Sequence, residues 1–219
     1  MVKKVFRLYP NNSETGLNFL TTVLQECEQT LKSGGVIVYP TETLYGLGVD
    51  IRNDQAIEKI IELKGRPKNM PIAVAVTNLE QVKAIAEVSH LALEIINKCI
   101  PNPITILLKA KGMVNRKLTG GSDLIGFRFP EHEFTEELIN RFGPITATSA
   151  NLHGGINPIV IDTSLDQFGE GIDIYLDSGP CKIGEASTVV DTTGDTIKII
   201  RHGACSGIKL EECLSLRGT

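Results

Sequence analysis

The sequence predicts an α/β protein, a twisted, mixed β-sheet with helices packed on it. Helical and strand-like apolar patterns alternate through the first part of the chain, whereas strand-like runs cluster late. No internal repeat, low-complexity stretch or long linker separates them, so residues 1–219 are expected to form one domain. A chain of 219 residues with 42% apolar content and mean hydropathy near zero can bury a substantial core.

The elements follow in order. Residues 4–9 read as a strand. Ser13 is placed as the cap of a helix in which Leu17, Leu20, Val23, Leu24, Cys27 and Leu31 recur at helical spacing, ending at Gly34-Gly35. The β-branched run 36–39 is a central strand stopped by Pro40. Residues 40–48 then form the loop leaving it, where ligands gather in open α/β sheets. Asn53 caps a helix reaching Leu63, with Ala56, Ile57, Ile60 and Ile61 as its apolar stripe. Gly65 supplies a left-handed ending and Pro67 a stop. A strand at 72–76 precedes helical patches at 79–88 and 91–99, then strands at 104–109 and 124–129. The helix 133–142 is closed by Gly143-Pro144, and the strand 145–148 feeds directly into Ser149. Strands at 172–176, 187–191 and 196–201 and a terminal helix over 207–216 complete the pattern.

Composition narrows the function. A net charge of −4 argues against a surface devoted to nonspecific nucleic-acid binding, and the absence of Trp disfavours a base-stacking platform. An RNA-binding module is therefore the second choice. No window approaches the roughly 18 apolar residues of a membrane span. The basic start, Met1-Val-Lys-Lys-Val-Phe-Arg7, has no apolar signal core behind it, so a cytoplasmic protein without membrane partners is expected. Five cysteines lack paired metal spacing; Cys27 and Cys213 fall in helical apolar patterns and are expected to be buried small hydrophobes.

Familiar catalytic motifs are missing. There is no G-x-x-x-x-G-K-[ST] loop, Gly46-Leu-Gly48 lacks the third glycine of a dinucleotide fingerprint, and His90, His132, His153 and His202 are scattered. No G-x-S-x-G elbow surrounds Ser149. No protein metal site is predicted, and something else must hold phosphates.

Lys64-Gly-Arg66-Pro67 has a local explanation as a helix ending. That does not account for Arg66 beyond the helix, where a rigid corner presents a planar fork of donors suited to phosphate. The threonines of Thr41-Glu-Thr43 have a local explanation as turn formers, as do Ser149 and Asn151, which can also donate to phosphate oxygens without adding charge. Arg128 stands in an otherwise apolar strand and costs several kcal/mol to bury without a partner, which is either a protein carboxylate or a ligand's. Ser187 and Arg201 raise the same question. Two strand arginines with Lys64 and Arg66 suggest a cavity that collects anions.

Tyr39-Pro-Thr-Glu-Thr-Leu-Tyr-Gly-Leu-Gly48, Lys64-Gly-Arg-Pro67, Gly126-Phe-Arg-Phe-Pro130, Ser149-Ala-Asn151, Ser187-Thr-Val-Val-Asp191 and a late Arg201 follow one another in this chain. In that order they resemble the YrdC-like family of threonylcarbamoyl-AMP synthases, over a motif-bearing core of about residues 34–204. The resemblance implies a twisted α/β fold around a large basic cavity. It implies condensation of L-threonine, bicarbonate or CO2 and ATP into threonylcarbamoyl-AMP and pyrophosphate, with Mg²⁺ bridging phosphate oxygens. The product would supply a downstream tRNA threonylcarbamoyl transferase for the adenosine following the anticodon (t6A), and weak binding of tRNA is allowed.

By the same resemblance Lys64, Arg66, Ser149 and Asn151 are the catalytic and ATP-binding tetrad, with Asn157 and Arg201 on the nucleotide side. Thr43, Arg128 and Ser187 surround threonine. Met70 and Ala75 depart from relatives that carry Asn and His there. The chain is similar to the short form, without an extra C-terminal domain. A relative that forms carbamoyl-adenylate from carbamoyl phosphate is a further alternative, although no acylphosphatase-like or zinc-finger segment accompanies this chain.

Overall fold

The computed structural model describes residues 4–8, 14–112 and 114–215. Strand β1 (Lys4–Arg7) leads to helix α1 (Glu14–Lys32), then β2 (Ile37–Tyr39), β3 (Gly46–Gly48) and α2 (Asp54–Lys64). Next come β4 (Ala73–Ala75), α3 (Leu79–Ile85), β5 (Ala86–Glu87), α4 (His90–Cys99), β6 (Ile104–Ala110) and β7 (Leu124–Arg128). The chain continues through α5 (Glu133–Phe142), β8 (Ile145–Ser149), α6 (Ile161–Phe168) and a 3-10 turn at Gly169–Gly171. It closes with β9 (Ile174–Asp177), β10 (Thr188–Asp191), β11 (Lys198–Arg201) and α7 (Gly207–Ser215).

The strands join in the order β1-β9-β2-β3-β8-β4-β7-β6-β10-β11, with β5 pairing alongside β6. Parallel and antiparallel neighbours mix: β4 runs parallel to β7 and antiparallel to β8. Alternation along β2 sends Ile37 and Tyr39 to one face and Val36 and Val38 to the other, and each face has its own core. On the first, Val23, Leu24, Cys27 and Leu31 of α1 meet Leu138 and Ile139 of α5. On the second, Ile57, Ile60 and Ile61 of α2 and Ile95 of α4 pack with Val74, Ile106 and Phe127.

Register sets what lies side by side. Ile145, Ala75, Arg128, Thr105, Val189 and Arg201 form one row across six strands. Tyr39, Gly46 and Ser149 form another, four residues further along β8, or about 13 Å at strand rise.

Several expectations need correction. Residues 46–48 are a strand rather than part of a loop. Glycine is a poor strand former, but here the Tyr39 ring lies on this strand, and a Cβ at Gly46 would stand 2.5 Å from Tyr39 Cζ. Tyr39 is held there by its hydroxyl, which donates to Thr146 O at 2.9 Å. The helix predicted over 79–88 stops at Ile85, because Ala86–Glu87 pairs antiparallel with β6. Helix α6 was not foreseen, although Ile161, Leu165 and Phe168 stand at helical spacing. Leu17 of the predicted apolar stripe is exposed, and Cys213 is only half-buried. All five cysteines are free; Cys27, Cys99 and Cys205 are buried. The predicted roles of Tyr9, Ser13 and Leu216 fall outside the described residues. Among the described residues no helix is long and apolar enough to cross a membrane.

Candidate active site

Small side chains create the space. Gly46, Ala73, Gly126 and Ala147, from β3, β4, β7 and β8, line a cavity of about 430 Å³ where larger residues would fill the sheet's face. Its charged lining residues, among the described residues, are Lys64, Arg66, Arg128 and Arg201, with no Asp or Glu. His153 and Met70 also line it.

Lys64 is the last residue of α2. Asn53 opens that helix by accepting from the Gln55 and Ala56 amides. Gly65, at φ 59°, closes it, with the Gly65 and Arg66 amides returning to Glu62 O and Ile61 O. This left-handed corner turns Arg66 out of the helix. Lys64 Nζ donates to Ser149 O at 2.5 Å and Asn151 O at 2.6 Å. Burial, with Arg66 beside it, pulls the Lys64 pKa down to about 8. Arg66 Nη2 donates to Pro71 O at 2.7 Å and Nη1 reaches Thr148 Oγ1 at 3.4 Å, while its buried Nε has no hydrogen-bond partner. Burial also lowers the pKa of Arg66.

Ser149 ends β8, and its hydroxyl donates to Asn151 Oδ1 at 2.6 Å; Asn151 Nδ2 donates to Gly155 O at 3.0 Å. The unforeseen α6 holds this loop. Ser164 Oγ donates to Ala150 O at 2.7 Å, and Gln167 Oε1 accepts from the Leu152 amide at 2.9 Å.

Thr43 is buried on the β2–β3 connection, its hydroxyl 2.9 Å from that of Thr41. Arg128 ends β7 with its guanidinium in a buried ion pair with Glu42, and Nη1 donates to Phe129 O at 2.6 Å. The partner left open by the sequence is therefore a protein carboxylate. Burial pulls Arg128 down to about 10, so it stays protonated at neutral pH. Ser187 Oγ lies 2.7 Å from Thr105 Oγ1, and Ser187 O accepts from Arg201 Nη2 at 2.7 Å.

The structure thus gathers eight of the nine predicted site residues on one wall: Thr43, Lys64, Arg66, Arg128, Ser149, Asn151, Ser187 and Arg201. It does not bring in Asn157, which is exposed and outside the lining set. Of the two departures, Met70 stands on the wall, whereas Ala75 is buried opposite Arg128. The sequence reading missed Thr105; the signal was a hydroxyl in an otherwise apolar strand. It also missed Glu42 as the partner of Arg128. Chemically, the wall offers fixed positive charge with hydroxyl and amide groups between. Burial raises Tyr39 and brings Tyr45 up to about 12, so both remain neutral phenols. Among the described residues no three His, Cys, Asp or Glu stand together as a metal site.

Residues 29–203 match the Sua5/YciO/YrdC family model, described as "Telomere recombination". The chain is 34% identical over 185 residues to a threonylcarbamoyl-AMP synthase of Photobacterium profundum, covering 82% of this chain and 98% of that protein. It is 34% identical over 184 residues to the threonylcarbamoyl-AMP synthase of Pyrococcus abyssi, covering 83% of this chain and 53% of that longer protein. The crystal structure of Pyrococcus abyssi Sua5 complexed with L-threonine superposes with a TM-score of 0.87 at 28% identity, over 98% of this chain and 61% of that one. With most of its length matched by the family model and near-complete coverage of a relative, this chain belongs to the Sua5/YciO/YrdC family.

Proposed function

We propose that this chain, acting as a single domain in the cytoplasm, is a threonylcarbamoyl-AMP synthase, a nucleotidyltransferase. It condenses L-threonine, bicarbonate or CO2 and ATP into threonylcarbamoyl-AMP and pyrophosphate. The observation that carries this is the convergence of Lys64, Arg66 and Arg201, together with the Glu42-paired Arg128, around one cavity that has no Asp or Glu among its described lining residues. The names of the relatives support the same reaction, and the threonine-bound relative supports its amino-acid substrate.

The threonine amine attacks CO2, releasing a proton, or bicarbonate, releasing water, to give a carbamate. A carbamate oxygen then attacks the α-phosphorus of ATP, and pyrophosphate leaves. Each step crowds anions together, so the residues serve by neutralising charge and fixing orientation. Lys64 and Arg66 stabilise charge on the transferring phosphates, and Ser149 and Asn151 orient them. Thr43, Arg128 and Ser187 hold threonine, and Arg201 lies on the nucleotide side. Asn157 is left out because it stands apart from the wall. No carboxylate stands among the described lining residues to hold Mg²⁺; an ion brought in with ATP would add charge neutralisation beside Lys64 and Arg66. No general base is assigned; holding the amine against bicarbonate or CO2, and then the carbamate oxygen in line with the α-phosphorus and the leaving pyrophosphate, supplies the rate. The adenylate then passes to a tRNA threonylcarbamoyl transferase.

Mass spectrometry of the purified chain with Mg-ATP, bicarbonate and either L-threonine or carbamoyl phosphate tests the proposal. A threonine-dependent adenylate with equimolar pyrophosphate is expected. An adenylate formed only from carbamoyl phosphate, or tight tRNA binding with no adenylate, overturns it.

A further inference from the structure

Arg128 lines the cavity, but Glu42 does not. Glu42 is 3% exposed and reaches the guanidinium from behind the wall, as the middle residue of Thr41-Glu42-Thr43. Its Oε2 accepts the Glu131 amide at 2.8 Å, and its own carbonyl accepts the Ile183 amide at 2.9 Å. The carboxylate is therefore tied to the sheet and the α5 approach, and the residue's backbone to the 178–187 connection. Among the described residues the other three cavity cations have no such carboxylate: Lys64 and Arg201 donate to backbone carbonyls, and Lys64 also reaches the Asn151 amide oxygen. Arg66 donates to a carbonyl and a hydroxyl.

The cavity is thus electrically divided. At the Arg128 corner a buried carboxylate cancels the guanidinium, leaving directed N–H donors without net charge. Elsewhere the cations are uncancelled. A zwitterionic amino acid, net neutral, suits the first environment, and a polyphosphate suits the second. We propose that Glu42 is a specificity-determining residue: by neutralising Arg128 from behind, it reserves that corner for the zwitterionic amino acid and excludes phosphate from it. This rests on the function proposed above and extends it to a residue that touches neither substrate.

Removing the negative charge exposes an uncancelled cation to any anion. In Glu42→Gln, inorganic phosphate is expected to bind about tenfold more tightly than in the native chain, and to compete with L-threonine. The KM for ATP stays within about twofold, because Lys64, Arg66 and Arg201 are untouched. Phosphate affinity is read by calorimetry and by ³¹P NMR line shape without turnover, and competition by initial rates. The double variant E42Q/R128M restores a neutral corner and is expected to return phosphate binding to the native level. If the double variant binds phosphate as tightly as E42Q, the effect arises elsewhere and the proposal fails.

Unchanged phosphate and threonine affinities in folded E42Q overturn it outright. Should E42Q not fold, Glu42→Asp, one methylene short of Arg128, is expected to raise phosphate affinity in smaller measure; no change in folded E42D is then the refuting result. A native chain that makes no threonine-dependent adenylate removes the functional reading, while the phosphate measurement separately decides the charge division.

Discussion

Replacing Arg66 with Ala separates a catalytic cation from a helix-ending one. Structurally the side chain gives one good hydrogen bond, 2.7 Å to Pro71 O, and one long one, 3.4 Å to Thr148 Oγ1. Pro71 is exposed, so its carbonyl regains water, and the Gly65 corner is made by backbone amides that the substitution leaves intact. The stability cost is about 1 kcal/mol, a fall in Tm of about 2–4 °C for a chain of this size. The kinetic cost is of another order. Arg66 lines the cavity with a buried Nε that has no hydrogen-bond partner, and no Asp or Glu is among the described lining residues. Loss of one preorganised donor to a developing charge lowers turnover by about 10²–10³-fold. Pyrophosphate release under saturating L-threonine, bicarbonate and Mg-ATP is the assay, with circular dichroism as the folding control. Arg66→Lys should recover part of the loss, since a point charge replaces the fork. Near-normal pyrophosphate release from folded R66A would refute the reasoning and return Arg66 to a structural role.

Thr43→Ala should raise the KM for L-threonine by up to about tenfold, one hydrogen bond's worth, and leave the KM for ATP nearly unchanged; equal loss for both ligands contradicts its placement. Lys64 gives a pH signature of two opposite signs. Its folded pKa of about 8 lies below the ordinary 10.5, so kcat/KM for ATP should decline above pH 8 as the charge is lost. In that window the unfolded chain holds the proton and the folded one does not, so the Lys64 contribution to stability rises with pH. Lys64→Arg should abolish the decline; a profile identical to the native one would show that another group titrates. Gly46→Ala drives a Cβ to 2.5 Å from Tyr39 Cζ and should cost about 1–3 kcal/mol by overpacking, read as a lower Tm.

The sequence by itself determined what depends on near neighbours along the chain. Asn53 caps α2, Gly65 takes the left-handed conformation, and most strands and helices fall where their apolar periods placed them, because caps, turns and 3.6-residue stripes are written in consecutive residues. The residues bearing charge and hydroxyls were legible for the same reason: a cation in an apolar strand is conspicuous. Tertiary structure decided the rest. Gly46–Gly48 became a strand only because β2 and β8 flank it. The Ile161–Phe168 helix, disguised by β-branched residues, acquired its purpose by bonding to the Ser149–Asn151 loop. Register placed Arg128 and Arg201 in one row and set glycine and alanine beneath them, which opened the cavity. The pairing of Glu42 with Arg128 joins residues far apart in the chain, and no local pattern encodes it, since a buried charge takes its partner from whatever the fold brings alongside.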